Sequence, residues 1–154
     1  MKFMMNGALT IGTRDGATIE MVEEAGEENF FLFGLTADQV AGSRSTYDPR
    51  WHYDNEPETR AALDLIFSDY FSRHEPGTFA PLRDSLLTHD HYMHLADLKS
   101  YLEADQRLTG LFADGDAWAR KAILNIAGSG RFSSDHTISQ YAAEIWQAKP
   151  CPVP

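Results

Sequence analysis

The sequence predicts an α/β chain whose β component is small and comes first, with one short parallel βαβ unit followed by helices. Three observations lead there. Two apolar runs closed by glycine, Ala8 to Gly12 (ALTIG) and Phe30 to Gly34 (FFLFG), have the length and composition of strands buried on both faces of a parallel sheet. The stretch between them is helix-compatible from Ala17 to Ala25 and long enough for a crossover. From Pro57 onward, apolar residues recur at helical spacing instead of alternating.

Within the βαβ unit, Asp15 is placed to cap the helix and Gly26 to end it. Thr36 to Ala41 reads as a brief helix, and Gly42 to Asn55 (GSRSTYDPRWHYDN) as a polar connection with no period. Pro57 opens ETRAALDLIFSDYF, with Ala61, Leu65, Ile66 and Tyr70 near helical spacing, and Pro81 opens the shorter LRDSLLTH. Leu95 to Phe112 carries Leu98, Leu102 and Leu108; Gly115 interrupts the run before a helix around Trp118 to Ala127, which Gly128 and Gly130 end. Ser134 and Asp135 are N-cap candidates for a last helix with one apolar face of Ile138, Tyr141, Ala142, Ile145 and Trp146, stopped by a proline-rich tail. No repeat or linker interrupts residues 1–154, which read as a single segment. Two strands are too few for a doubly wound sheet, so the pattern is that of the back end of a larger α/β domain.

The chain has 154 residues, 23 acidic against 13 basic side chains and a formal net charge of -10, with no run of lysine or arginine. Nucleic acid and anionic membrane surfaces are therefore excluded as expected partners. A few local cations could still hold an anionic cofactor. The single cysteine, Cys151, builds no disulfide framework and points to a reducing compartment. The opening MKFMMNGALTIG lacks the features of a secretory signal, so a cytoplasmic location is expected.

Several groups invite a chemical reading. His89, Asp90, His91 and His94 (HDHYMH) offer metal-ligand types, but their spacing puts His89 off the face that His91 and His94 can share, so a solvated helix start is the better reading. Glu23 with Glu24 and Glu27 with Glu28 are adjacent and cannot face one another across a sugar as paired carboxylates must. IGTRDG follows a strand and opens a helix, which suits a ligand-side turn, although neither Gly12 and Gly16 nor Gly128 and Gly130 matches a dinucleotide or Walker spacing. Trp51 and Tyr53 could stack on sugars; Trp118 and Trp146 are expected in the core. No catalytic or metal-ligating residue is assigned.

MKFMMNGALTIGTRDGATIEMVEEAGEENFFLFG resembles the C-terminal part of the α-glucan (glycogen, starch or maltodextrin) phosphorylases. YDPRWHYDNEPETRAALDLI, HDHYMHLADLKSYLEADQ, WARKAILNIAGSGRFSSD and RFSSDHTISQYAAEIW follow that family in order and spacing over almost the whole chain. The resemblance implies a segment of the cofactor-binding domain of a paired Rossmann-like (GT-B type) glycosyltransferase. Such an enzyme uses inorganic phosphate to cleave terminal α-1,4 bonds, releasing glucose 1-phosphate with retention. In MKFMMNG, Lys2 falls on the lysine that holds pyridoxal 5'-phosphate as a Schiff base, with Met1 and Phe3 flanking it as in the family. The cofactor then acts through its own phosphate, the protein supplying position and electrostatics.

The chain departs from the family at Arg14, usually apolar, at Thr18, commonly asparagine, and at His136, commonly arginine. Arg14 reads equally as a compensating cation, a surface change or a sign of relaxed constraint. In the family, the glycine-rich phosphate-binding segment and the basic residues that clamp the substrate phosphate precede this lysine. The resemblance thus implies activity in the full-length context alone, and weak or no cofactor binding by the chain by itself, with Lys2 at a frayed end. A noncatalytic interaction or oligomerisation module derived from a phosphorylase is the alternative, and a homo-oligomer is expected from uncovered apolar surface.

Overall fold

In a computed structural model describing residues 1–149 and 151, the chain folds as two compact units, Met1–Leu32 with Arg107 onward, and Phe33–Gln106. The first opens with a short helix, α1 (Lys2–Met5), then β1 (Thr10–Thr13), α2 (Ala17–Ala25), a 3-10 turn (Glu27–Asn29) and β2 (Phe30–Phe33). The strands pair as a two-stranded parallel sheet joined through α2, so the βαβ unit is present. Its core is Met4, Met21, Phe30 and Leu32, with Val22, Ala25 and Phe132 against it. β2 is buried as expected, but β1 is only half-buried, since its TIGT carries two threonines and a glycine and little apolar surface to hide.

The expected cap at Asp15 is not formed. Gly16, at φ +51°, occupies the N-cap of α2, while Asp15 Oδ1 accepts a hydrogen bond from Thr13 Oγ1 at 2.5 Å. Gly26 does end the helix, at φ +88°. The unit is completed by α8 (Gly115–Gly128), capped by Asp114 Oδ1 accepting from Ala117 N at 3.0 Å, so Gly115 begins this helix. A polar seam joins α8 to the turn before β2: Lys121 Nζ donates to the Glu28 carbonyl, and Asn125 Nδ2 donates to the Asn29 carbonyl at 3.1 Å. Asn125 is fully buried.

Ser133, one residue before the expected candidates, caps the last helix, α9 (Ser134–Gln140), by accepting from His136 N at 3.2 Å. The chain then widens into a π turn, Tyr141–Ile145. Its apolar stripe is largely exposed: Ala142 is half-buried, but Ile138, Tyr141, Ile145 and Trp146 are all exposed, Trp146 by 58%, so the expectation of a core tryptophan fails there. Trp118 is half-buried, edge-on to Phe112 at 5.4 Å. The expected proline stop, at Pro150 and residues 152–154, lies outside the described residues.

The second unit is helical, with α3 (Ala37–Ser43), α4 (Pro49–Asn55), α5 (Pro57–Phe67), α6 (Ala80–Thr88) and α7 (His94–Phe112) as far as Gln106, the last residues of α7 belonging to the first unit. Thr36 and Gln39 form a reciprocal capping box on α3. The helix α4 corrects the reading of residues 42–55 as an aperiodic connection. It rests on local chemistry, not on an apolar face: Asp48 Oδ1 accepts from Arg50 N at 2.9 Å, Pro49 sits in the first turn, and Trp51 points to solvent. The first two turns of α7 secure the chain after β2, because Asp97 Oδ1 accepts from Leu35 N and Ser100 Oγ from Gly34 N, each at 2.9 Å. Among the described residues no helix is long and apolar enough to cross a membrane.

Candidate functional site

Four residues are far too few to hold a helix by themselves. What fixes α1 is Met4, only 1% exposed, inserted between Met21, Phe30 and Leu32. The turn closes through Asn6 N to the Phe3 carbonyl and Gly7 N to the Met4 carbonyl, both at 3.0 Å, and through Asn6 Nδ2 to the Lys2 carbonyl at 2.7 Å. Gly7 is at φ +81°, which a side chain would strain, and a Cβ there would lie 3.4 Å from Ile126 Cδ1 on α8. The lysine-bearing turn is therefore seated on α8 and on the sheet core. The frayed end expected for Lys2 is instead an anchored helical turn, because the burial of Met4 outweighs the weak propensity of so short a segment.

Lys2 itself is exposed, and its ammonium has no ion-pair or hydrogen-bond partner among the described residues. Around it lie apolar side chains that are also exposed, Met1, Phe3 and Met5, with Phe3 83% accessible. An uncommitted primary amine in apolar company can attack a carbonyl carbon once it gives up its proton.

The turn after β1 carries Arg14, which pairs with Glu27 at 3.6 Å with both side chains well exposed. Such a pair stabilises little, and Gly16 has open space where a Cβ would be. The acidic neighbours do not form a facing pair. Glu24 binds Arg131 at 2.6 Å, an interaction that also holds the guanidinium above its ordinary pKa, while Glu27 binds Arg14.

In the second unit the His-rich stretch does not assemble a metal site: no group of three potential ligands occurs among the described residues. Nor is Asp90 part of a solvated helix start. It is 4% exposed and saturated, with Oδ1 accepting from His94 N at 2.9 Å, and Oδ2 from Leu95 N at 2.9 Å and the Tyr47 hydroxyl at 2.5 Å. Burial, then the Asp90 hydrogen bond and charge, push the Tyr47 phenol far above its usual range. Nothing in the sequence signals this pair, whose members lie in two separate connections, before α4 and before α7. Tyr53 donates to Asp64 Oδ1 at 2.6 Å and lies under Arg60, while Trp51 is exposed and edge-on to His52 at 5.2 Å.

Residues 1–148 match the family model of the carbohydrate phosphorylases. The chain is 50% identical to a glycogen phosphorylase of Synechocystis sp. over 151 residues, 48% to the brain form of glycogen phosphorylase from Homo sapiens and 46% to the muscle form from Bos taurus. Each match covers 97% of this chain, and the chain spans 18% of the length of these curated relatives. The chain belongs to the carbohydrate phosphorylase family and corresponds to part of a phosphorylase.

Proposed function

We propose that the chain is the cofactor-binding C-terminal segment of an α-glucan phosphorylase, a cytoplasmic glycosyltransferase of the GT-B type. In its full-length context the enzyme takes a glycogen, starch or maltodextrin chain and inorganic phosphate, and releases glucose 1-phosphate. The observation that carries the reading is the unpaired Lys2 amine on a turn fixed by Met4 and Gly7, in a segment that matches the family throughout. The donor chemistry fits pyridoxal 5'-phosphate, which needs one uncommitted primary amine for covalent attachment. When bound, that cofactor supplies a phosphate group able to exchange protons with the substrate phosphate.

This chain's own contribution is positional. Met4, and the close approach of the backbone at Gly7 to α8, fix the height and direction of the turn, Asn6 Nδ2 holds the Lys2 carbonyl, and Met1, Phe3 and Met5 offer apolar surface that keeps water from the attachment point once covered. No residue here is assigned as general acid or base. The exposed apolar stripe of α9 and the π turn supports the further reading that the segment self-associates into a homo-oligomer when expressed alone; a monodisperse monomer in light scattering would contradict that part.

The functional test is a chimera in which residues 1–148 replace the corresponding segment of the Synechocystis enzyme. Glucose 1-phosphate release from glycogen and orthophosphate, abolished by Lys2→Ala, is expected. A folded chimera whose release is untouched by Lys2→Ala would overturn the assignment.

A further inference from the structure

We propose that Asn6 is a site of spontaneous deamidation in this chain and that the packing of α1 sets its rate. Of the four asparagines, Asn6, Asn29, Asn55 and Asn125, only Asn6 precedes a glycine; the others are followed by Phe30, Glu56 and Ile126. Asparagine is chemically labile, and glycine, lacking Cβ, leaves its amide nitrogen open to attack the neighbouring side chain. Asn6 is also exposed, whereas Asn29 and Asn125 are buried.

The reaction is a cyclisation followed by hydrolysis. The Gly7 amide nitrogen, having lost its proton to solvent, bonds to Asn6 Cγ; the Cγ–Nδ2 bond breaks and the nitrogen leaves as ammonia, protonated from solvent. Water then opens the five-membered imide at either carbonyl carbon, leaving aspartate or isoaspartate.

In the closed turn this path is blocked. At ψ 14° for Asn6, the Gly7 nitrogen is turned toward the amide nitrogen of Asn6 and away from its side chain. The Gly7 N–H is engaged by the Met4 carbonyl at 3.0 Å, and Asn6 Nδ2, the leaving nitrogen, by the Lys2 carbonyl at 2.7 Å. Cyclisation therefore requires α1 to open, and α1 is four residues long, held mainly by Met4. The product closes the same turn less firmly. It lacks the donor to the Lys2 carbonyl and places a carboxylate at the C-terminal end of a helix, where free carbonyls already concentrate negative charge. Deamidation thus loosens the turn that carries Lys2, whatever Lys2 binds.

The test incubates the full chain at mildly alkaline pH beside a free peptide of residues 1–10, and maps aspartate and isoaspartate by mass spectrometry and isoaspartyl methylation. Conversion is expected at Asn6 ahead of the other three asparagines, at a rate at least about tenfold below that of the free peptide because two hydrogen bonds must open. Met4→Ala is expected to raise the rate toward that of the peptide, and Asn6→Gln to remove the product. Should Met4→Ala not fold, urea below the unfolding midpoint applied to the parent chain serves the same purpose. Conversion elsewhere first, equal rates in chain and peptide, or no acceleration on loosening α1 would each overturn the proposal.

Discussion

Gly128 offers a test in which packing and propensity give opposite signs. It is the last residue of α8, at φ -72°, so alanine meets no backbone strain there. A Cβ would, however, stand 2.9 Å from the Glu24 carbonyl oxygen and 3.1 Å from Ala25 Cα. These are backbone atoms of α2 and cannot rotate aside, so the two helices must separate by several tenths of an ångström along a seam that also carries the Arg131–Glu24 pair. Helix propensity favours alanine by up to about 1 kcal/mol, whereas overpacking a closed contact costs about 1–3 kcal/mol. The expected net for Gly128→Ala is a destabilisation of about 1 kcal/mol.

Gly110 in α7 is the internal control. It is exposed, belongs to the same unit, and has nothing within 4 Å of its would-be Cβ. Gly110→Ala should therefore stabilise by up to about 1 kcal/mol. Urea unfolding followed by circular dichroism, at matched concentration and with unchanged slopes, reads both variants. A Gly128→Ala midpoint at or above the parent would refute the packing argument.

The Tyr47–Asp90 contact predicts an alkaline limit. Because the folded-state pKa of Tyr47 is raised, its contribution is fully present below the ordinary tyrosine value of about 10. It is lost as pH rises beyond that, where the unfolded chain releases the proton first. Tyr47→Phe should flatten that decline in a thermal-melt series, and an unchanged alkaline slope would contradict it. Asn125→Ala should cost about 1–3 kcal/mol by removing the side-chain donor to the buried Asn29 carbonyl; a loss below about 0.5 kcal/mol in urea unfolding would show that water replaces the amide without penalty.

The parts of the fold that could be read from the residues were those with a local cause. Glycine-closed apolar runs marked β1 and β2, prolines marked the starts of α5 and α6, and periodic leucines marked α7. α4 escaped because Asp48 and Pro49 set it without an apolar face, and a period search finds only buried stripes. The stripe of α9 was visible, but periodicity reports an amphipathic face and not what covers it, and Trp146 proves exposed. At the site, Lys2 drew notice only through family resemblance, since a lysine beside a terminal methionine carries no physical signal. Its anchorage depends on tertiary packing, of Met4 against Met21, Phe30 and Leu32 and of Gly7 beside Ile126, which no local pattern reports.

Whether Lys2 is the carbonyl-capturing amine of a phosphorylase is tested most directly by chemical trapping. The chimera carrying residues 1–148 is loaded with pyridoxal 5'-phosphate, reduced with borohydride and digested for peptide mapping. One label is expected, on the peptide containing Lys2. A label on Lys99, Lys121 or a lysine outside this segment, with Lys2 unmodified, would contradict it.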